Sequence, residues 1–216
     1  IITYLESLDE CQDISIQCTK EISSYEISLW EKRYAPLKLP ADVKKFYSSV
    51  FNGFSIRWSG EFSDQITPIG EIRVNSMDEM KVQMVPEIYS LPSYLPADVT
   101  PPNLSTCTLI SLDNRCPLGN VVLLYRNPIS STAMANGSGT VDVLLTDNTP
   151  LIAAQSPSIT NIDTLDTPEV WLITPTCQLI YICQSFIQYM RLMITHLGIF
   201  QWQLAFSDDG LPELTR

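Results

Sequence analysis

The chain's single histidine, His196, lies in the run "YMRLMITHLGIFQWQLAF", residues 189–206, between a helical pattern and Trp202. An imidazole placed there could act as a general base, ligate a metal or simply pack. Base or nucleophile chemistry needs a group that orients the imidazole and a partner within hydrogen-bond reach. No motif supplies either, because the sequence has no G-x-S-x-G elbow, no paired-histidine metal motif and no dinucleotide fingerprint. At about 100° of rotation per residue, Ile182, Phe186, Tyr189, Met190, Met193 and Leu197 form one stripe, with His196 at its edge. Gln184, Gln188, Arg191 and Thr195 take the opposite, polar face. The role expected of His196 is therefore packing at a boundary beside Trp202 and Phe206, and no residue is assigned to catalysis.

The remaining chemical candidates are weaker. Cys11, Cys18, Cys107, Cys116, Cys177 and Cys183 include no C-x2-C pair, and one histidine cannot complete a Cys/His zinc set, so no metal site is expected. In a chain of this length free, buried thiols are the default, and they point to a reducing, intracellular compartment. "NGSG" at 136–139 lacks the Lys-Ser/Thr of a phosphate loop and reads as linker. Asp208 and Asp209, beside Gly210 and Pro212, read as a turn rather than as paired acids. The N-x-S triplets at Asn103 and Asn136 are of a kind that chance supplies. No cofactor is expected.

Charge excludes further classes of partner. The formal net charge is −11, and no basic residue occurs between Arg126 and Arg191. Residues 1–81 carry nine Lys/Arg against thirteen Asp/Glu, and residues 82–216 carry four against eleven. Phosphate backbones and anionic membranes need clustered positive charge, so neither nucleic acid nor membrane is an expected partner. With 45% hydrophobic residues the composition is that of a globular chain, and no apolar run reaches the ~18–20 residues of a membrane span, so a soluble protein is expected. The first residue is Ile, which suggests a piece of a longer chain, so the absence of a leader says nothing.

The elements that would position these residues follow from periodicity. Residues 1–10 predict a short helix with Leu5 and Leu8 inward, and "DISIQC" predicts a strand with Ile14, Ile16 and Cys18 on one face. Ser23 and Glu26 form a capping box ahead of Ile27, Trp30 and Tyr34. In "LPADVKKFYSSVFNGFSIRW", Pro40 suits the first helical position and Asp42 faces the positive end of the helix dipole. Val43, Phe46, Tyr47 and Val50 make the apolar stripe, and Asn52-Gly53 ends the helix. Phe54, Ile56 and Trp58 then alternate as a strand, with further strands at 66–74, 106–113 and 120–126, the last two forming a hairpin. "EVWLIT" predicts a strand, and 177–197 a long helix stopped by Gly198. Five prolines over 86–105 predict a surface loop. The polar 127–169 stretch, with its single apolar run "TVDVLLT", predicts an insertion that orders only against a partner.

Three stretches together resemble a known family: "SLWEKRYAPLKLPADVKKFYSSVFNGFSIRWS", "ITPIGEIRVNSMDEM", and "WLITP" leading into "YMRLMITHLGIFQWQLAF". They resemble the tubulin polyglutamylase complex subunit 2 family, within the wider SMI1/KNR4-like superfamily. The likeness covers about residues 22–82, 106–126 and 169–206 and omits 127–168. It implies an α+β fold, a mixed and mainly antiparallel sheet with helices packed against it. One domain would then occupy 1–206, with insertions at about 86–105 and 127–168 and an extension at 207–216. It also implies a non-catalytic, protein-binding subunit, so there are no catalytic, cofactor or metal residues to transfer. The matching positions Trp30, Pro40, Asp42, Asn52, Gly53, Trp58, Arg191, His196, Gly198 and Trp202 would be structural.

The implied partners are a tubulin-tyrosine-ligase-like catalytic subunit, which uses ATP and glutamate, and the other complex subunits. Tubulin or microtubules would be contacted indirectly, since acidic tubulin tails would be repelled by the acidic C-terminal half. The implied setting is the cytoplasm and cytoskeleton, at the centrosome or basal body and the ciliary axoneme. The alternative is a structural axonemal or centriolar component built on the same interaction fold.

Overall fold

The computed structural model describes residues 1–9, 11–62, 65–126 and 167–211. Its elements run α1 (Ile2–Leu5), β1 (Cys11–Cys18), α2 (Ser24–Arg33), α3 (Ala41–Ser49), β2 (Phe54–Phe62), β3 (Gln65–Val74), β4 (Val82–Gln83), β5 (Cys107–Asp113), β6 (Asn120–Arg126), β7 (Glu169–Ile173), β8 (Leu179–Cys183) and α4 (Phe186–Thr195). Short 3-10 turns occupy Leu104–Thr106 and Trp202–Phe206. The strands make a three-stranded sheet, β1-β2-β3, and a five-stranded sheet, β4-β5-β6-β7-β8, with every neighbouring pair antiparallel. The α+β class is as expected, with the strands divided between two sheets.

The five-stranded sheet is buried on both faces, and the period of two assigns each side chain to one of them. Ile110, Leu112, Val121, Leu123, Val170, Leu172, Ile180 and Ile182 face the main core, where they meet Val43, Phe46 and Tyr47 of α3 and Phe186, Tyr189 and Met193 of α4. Leu109, Val122, Leu124, Trp171, Leu179 and Tyr181 face the other way. That second face is covered by the proline-rich segment, through buried Val99 and Leu104 and half-buried Val85, Tyr89, Leu91 and Leu95. Residues 86–105 are thus a packing layer, not the surface loop expected. Proline suits this job, because a covering chain with preset φ loses less entropy on ordering and offers fewer N–H groups to satisfy.

Four other expectations are corrected. The long helix of 177–197 is a strand, β8, followed by α4, with Ser185 as the N-cap accepting from the Gln188 N–H. All five residues of β8 are buried, so apolar side chains at every position hid the alternation. Ile16 and Cys18 are exposed although β1 is a strand, β1 being an outer strand of its sheet. Val50 is also exposed, and α3 stops at Ser49, before Asn52-Gly53. Pro40 is the N-cap of α3 rather than its first helical residue. The 127–168 insertion, with "TVDVLLT" and "NGSG", falls outside the described residues except at its last two positions, and so do residues 212–216 of the 207–216 extension.

If the proline-rich segment is a packing layer, Leu104→Ala should cost about 2–4 kcal/mol of unfolding free energy, the range for truncating a buried leucine. A surface loop would give a change within about 0.5 kcal/mol. Chemical denaturation of the two proteins decides between them.

Candidate functional site

Four of the signature residues meet where the C-terminal segment docks on β3. Leu197 and Gly198 both have positive φ, +54° and +65°, which turns the chain off the end of α4. The Trp58 indole N–H donates to the Leu197 carbonyl at 2.9 Å, the Glu71 N–H to the Gly198 carbonyl at 2.8 Å, and the Phe200 N–H to the Ile69 carbonyl at 2.9 Å. Ile199 pairs with Gly70 as an antiparallel bridge. Two glycines permit this approach. A Cβ on Gly70 would strike the Trp58 indole, and one on Gly198 would lie 2.5 Å from Ile72 Cγ1 and 2.6 Å from the Glu71 carbonyl oxygen. His196, the C-cap of α4, stacks on Trp202 with ring centroids 5.1 Å apart and planes 13° from parallel. Its ring makes no hydrogen bond among the described residues. The adjoining cavity of about 180 Å³ is lined by Thr195, His196, Leu197, Ile199, Trp202 and Leu211, with no carboxylate to orient the imidazole.

The other signature residues are dispersed. Asp42 joins two helix starts, accepting from the Val43 N–H at 2.9 Å and, through its second oxygen, from the Ile187 N–H of α4 at 3.0 Å. One carboxylate therefore serves the positive ends of α3 and α4 together. The Trp30 indole donates to the Met80 carbonyl at 2.9 Å. Asn52 accepts from the Met77 N–H at 2.8 Å, and Gly53 (φ +82°) lies so close to Asn75 and Ser76 that a Cβ would meet the Ser76 nitrogen at 2.6 Å. Arg191 alone is exposed and unpaired among the described residues.

A polar cluster that the sequence reading missed joins the two sheets. Arg73, at the end of β3 and 7% exposed, donates to Asp113 at 2.7 Å, to Asn114 at 3.1 Å and to Glu79 at 3.2 Å. Arg115 adds a second guanidinium to Glu79 at 3.2 Å. Asn75 is fully buried; its N–H donates to the Leu112 carbonyl at 2.8 Å, its side-chain amide to the Ser111 hydroxyl at 3.1 Å, and its carbonyl accepts from Tyr47 Oη at 2.7 Å. One signal was available, since Ser76-x-x-Glu79 has capping-box spacing and the Ser76 N–H does donate to Glu79 at 3.1 Å. A cleft of about 280 Å³ opens beside the cluster, bounded by Gln17, Thr19, Asn52, Ser55, Arg73 and Arg115 among others.

The electrostatics are those of a clasp. Burial works to raise the Glu79 carboxyl, but the Ser76 N–H and the two arginines outweigh it and hold its pKa below the usual 4.5. Glu31 behaves alike: burial opposes ionisation, while Lys44 at 2.7 Å, the Leu39 N–H at 3.0 Å and Lys38 at 3.3 Å keep the pKa low. Burial pushes Asp113 upward, and the Arg115 N–H and Arg73 offset only part of it. Burial also lifts the Cys116 and Cys183 thiols to about 12, so neither is a thiolate nucleophile near neutral pH. All six cysteines are free, and among the described residues no three His, Cys, Asp or Glu side chains cluster as a metal site.

Gly198→Ala should destabilise the fold by about 2–4 kcal/mol, from left-handed backbone and overlap together. Arg191→Ala should change stability by less than about 0.5 kcal/mol, and thermal melts of both separate structural from exposed signature positions. A depressed folded-state pKa gives stability that is complete above the unfolded value and lost as pH falls through the folded one. Wild-type melting temperature should therefore decline below pH 4.5, the unfolded value for Glu31 and Glu79. Glu31→Gln should melt lower at neutral pH and decline less steeply in acid; equal slopes would contradict this account.

No family model matches the chain, and no solved structure matches it. Among curated proteins, tubulin polyglutamylase complex subunit 2 of Mus musculus is 27% identical over 218 aligned residues, and that of Rattus norvegicus is also 27% identical over 218. The Homo sapiens protein of the same name is 28% identical over 211. Each alignment takes in 98% of this chain and 64% or 65% of the relative, so the chain spans just under two thirds of their length. Over almost all of its own length, this chain is similar to tubulin polyglutamylase complex subunit 2.

Proposed function

We propose that the chain is a non-catalytic protein-interaction subunit of a tubulin polyglutamylase complex, helping to assemble the ligase or target it to microtubules and cilia. The observation that carries this is the similarity over 98% of the chain to proteins of that name. The chemistry of the described residues supports it. The lone imidazole is committed to Trp202, the thiols of Cys116 and Cys183 are protonated, and the strongest charged cluster is spent on joining two sheets. Ligation then belongs to a separate tubulin-tyrosine-ligase-like subunit, with tubulin contacted indirectly.

On this reading residues 1–206 form one SMI1/KNR4-like domain, working in the cytoplasm and cytoskeleton at the centrosome or basal body and the ciliary axoneme. The start of the 207–216 extension is tied to the covering layer, since Asp208 accepts from the Ser93 N–H at 2.8 Å and from its hydroxyl at 2.8 Å. Affinity capture of the tagged chain from ciliated cells should recover a tubulin-tyrosine-ligase-like enzyme at comparable stoichiometry. Capture without any such enzyme overturns the proposal. Salt-resistant, stoichiometric retention in purified axonemes would favour the structural role instead.

A further inference from the structure

A further cavity, of about 260 Å³, opens beside β8, the outer strand of the large sheet. It shares no wall residue with the two cavities described above. Three separate pieces of chain build it: Tyr94 and Pro96 from the covering layer, Tyr181 from β8, and Phe206, Ser207 and Asp208 from the last 3-10 turn and the residues after it. The walls are braced. Asp208 accepts from the Ser93 N–H at 2.8 Å and from its hydroxyl at 2.8 Å, which ties the residue before Tyr94 to the C-terminal wall. The Tyr181 ring lies edge-to-face on buried Trp171, centroids 5.2 Å apart, and the Phe206 ring edge-to-face on buried Trp202, 6.1 Å apart. Two of the three aromatic walls are therefore set before a ligand arrives, which keeps the ordering cost of binding low.

The charge around this cavity has one sign. Asp208 is the charged residue of its wall, and exposed Asp209 follows it. Among the described residues neither carboxylate is paired with a lysine or arginine. From the side of the sheet, burial together with Glu169, Cys183 and Asp98 holds the Tyr181 phenol protonated, well above its ordinary pKa. Arg126, which grips Glu169 and the Thr100 carbonyl, offsets only part of this. Aromatic faces carry the negative side of the ring quadrupole, so the three rings add to the attraction of the carboxylates for a cation. Proline is the other common occupant of aromatic-lined grooves, but it makes no use of a carboxylate.

We propose that this cavity seats an arginine side chain presented by a partner polypeptide, its guanidinium against Tyr94, Tyr181 and Phe206 and its N–H edge toward Asp208. Size agrees, because the cavity is below the roughly 300–1,000 Å³ of sites for drug-sized ligands and suits one side chain. Arginine is favoured over lysine because its planar, weakly hydrated guanidinium stacks on rings while donating sideways to a carboxylate. Arginine is also among the residues that anchor interfaces. The surroundings suit a basic segment, since residues 82–216 carry four Lys/Arg against eleven Asp/Glu. The inference does not depend on membership of any complex.

The test titrates the purified chain, its aromatic rings labelled with carbon-13, with a capped Gly-Arg-Gly peptide and follows the rings by NMR. The Tyr94, Tyr181 and Phe206 resonances should move together and saturate. The same peptide with citrulline, which keeps the shape and removes the charge, should bind about tenfold or more weakly, a change of about 1.4 kcal/mol per decade. A lysine peptide should bind about threefold or more weakly. Choline and a Gly-Pro-Gly peptide serve as rival probes for a small quaternary ammonium and for proline. Tyr94→Ala, at a residue 77% exposed and so safe for the fold, should weaken the arginine peptide about fivefold, as should Asp208→Asn. Asp9→Asn, at an exposed carboxylate outside the cavity wall, should leave binding unchanged. Should Asp208→Asn melt lower than wild type, the citrulline and Tyr94→Ala comparisons decide. Unmoved rings, equal binding of arginine and citrulline, or preference for choline or the proline peptide would each overturn the inference.

Discussion

The fold depends on the buried polar junction between its two sheets. β3 ends at Val74, and β5 lies in the other sheet, so strand pairing does not join them there. Asn75 bridges the gap by presenting an N–H, a carbonyl and a side-chain amide to Leu112, Tyr47 and Ser111 within a fully buried site. Arg73 reinforces it with three acceptors from both sides. Groups this buried are costly when unpaired, and removing one partner of such an ion pair typically costs roughly 3–5 kcal/mol. The junction therefore fixes the relative position of the sheets far more sharply than apolar contact alone, which tolerates sliding.

That junction organises the rest. Once the sheets are fixed, the core face of the large sheet is committed to α3 and α4, whose starts share Asp42, and its other face needs a separate cover. The proline-rich segment fills this role, with Asp208 tying it to the C-terminal segment. The three-stranded sheet receives the other tie, the Leu197–Phe200 turn on Ile69–Glu71. The family-like run at 189–206 is thus a fastening of the last helix to an early hairpin, and the bonds that make it also place His196 against Trp202.

Legibility in the sequence followed the strength of local chemistry. The Ser23/Glu26 cap, α3 after Pro40, the strands β2 and β3 and the β5–β6 hairpin could be read because capping and periodicity act over a few residues. β8 could not, since burial on both faces erases the alternation that distinguishes a strand from a helix. The junction was hidden for a different reason: Arg73, Asn75, Ser111 and Asp113 have ordinary polar identities until long-range pairing brings them together. The pairing of Lys38 and Lys44 with Glu31 was hidden in the same way, since it joins residues seven and thirteen positions apart across the α2–α3 connection.

The pairing at the ends of β6 and β7 has a consequence for how this domain can vary. Arg126 grips Glu169 through two hydrogen bonds, at 3.1 and 2.9 Å, and reaches the Thr100 carbonyl at 2.7 Å, while the Trp171 indole donates to the same carboxylate at 2.8 Å. The strands are in register up to Leu124 opposite Glu169, so the chain is clamped on both sides of residues 127–166. Loop-closure cost rises by only about 0.6 kcal/mol for each doubling of length. A clamp of this kind makes the connecting segment a free design variable. Its length and composition can drift, or be replaced with a short turn or a foreign module, while the eight-stranded framework keeps its pairing.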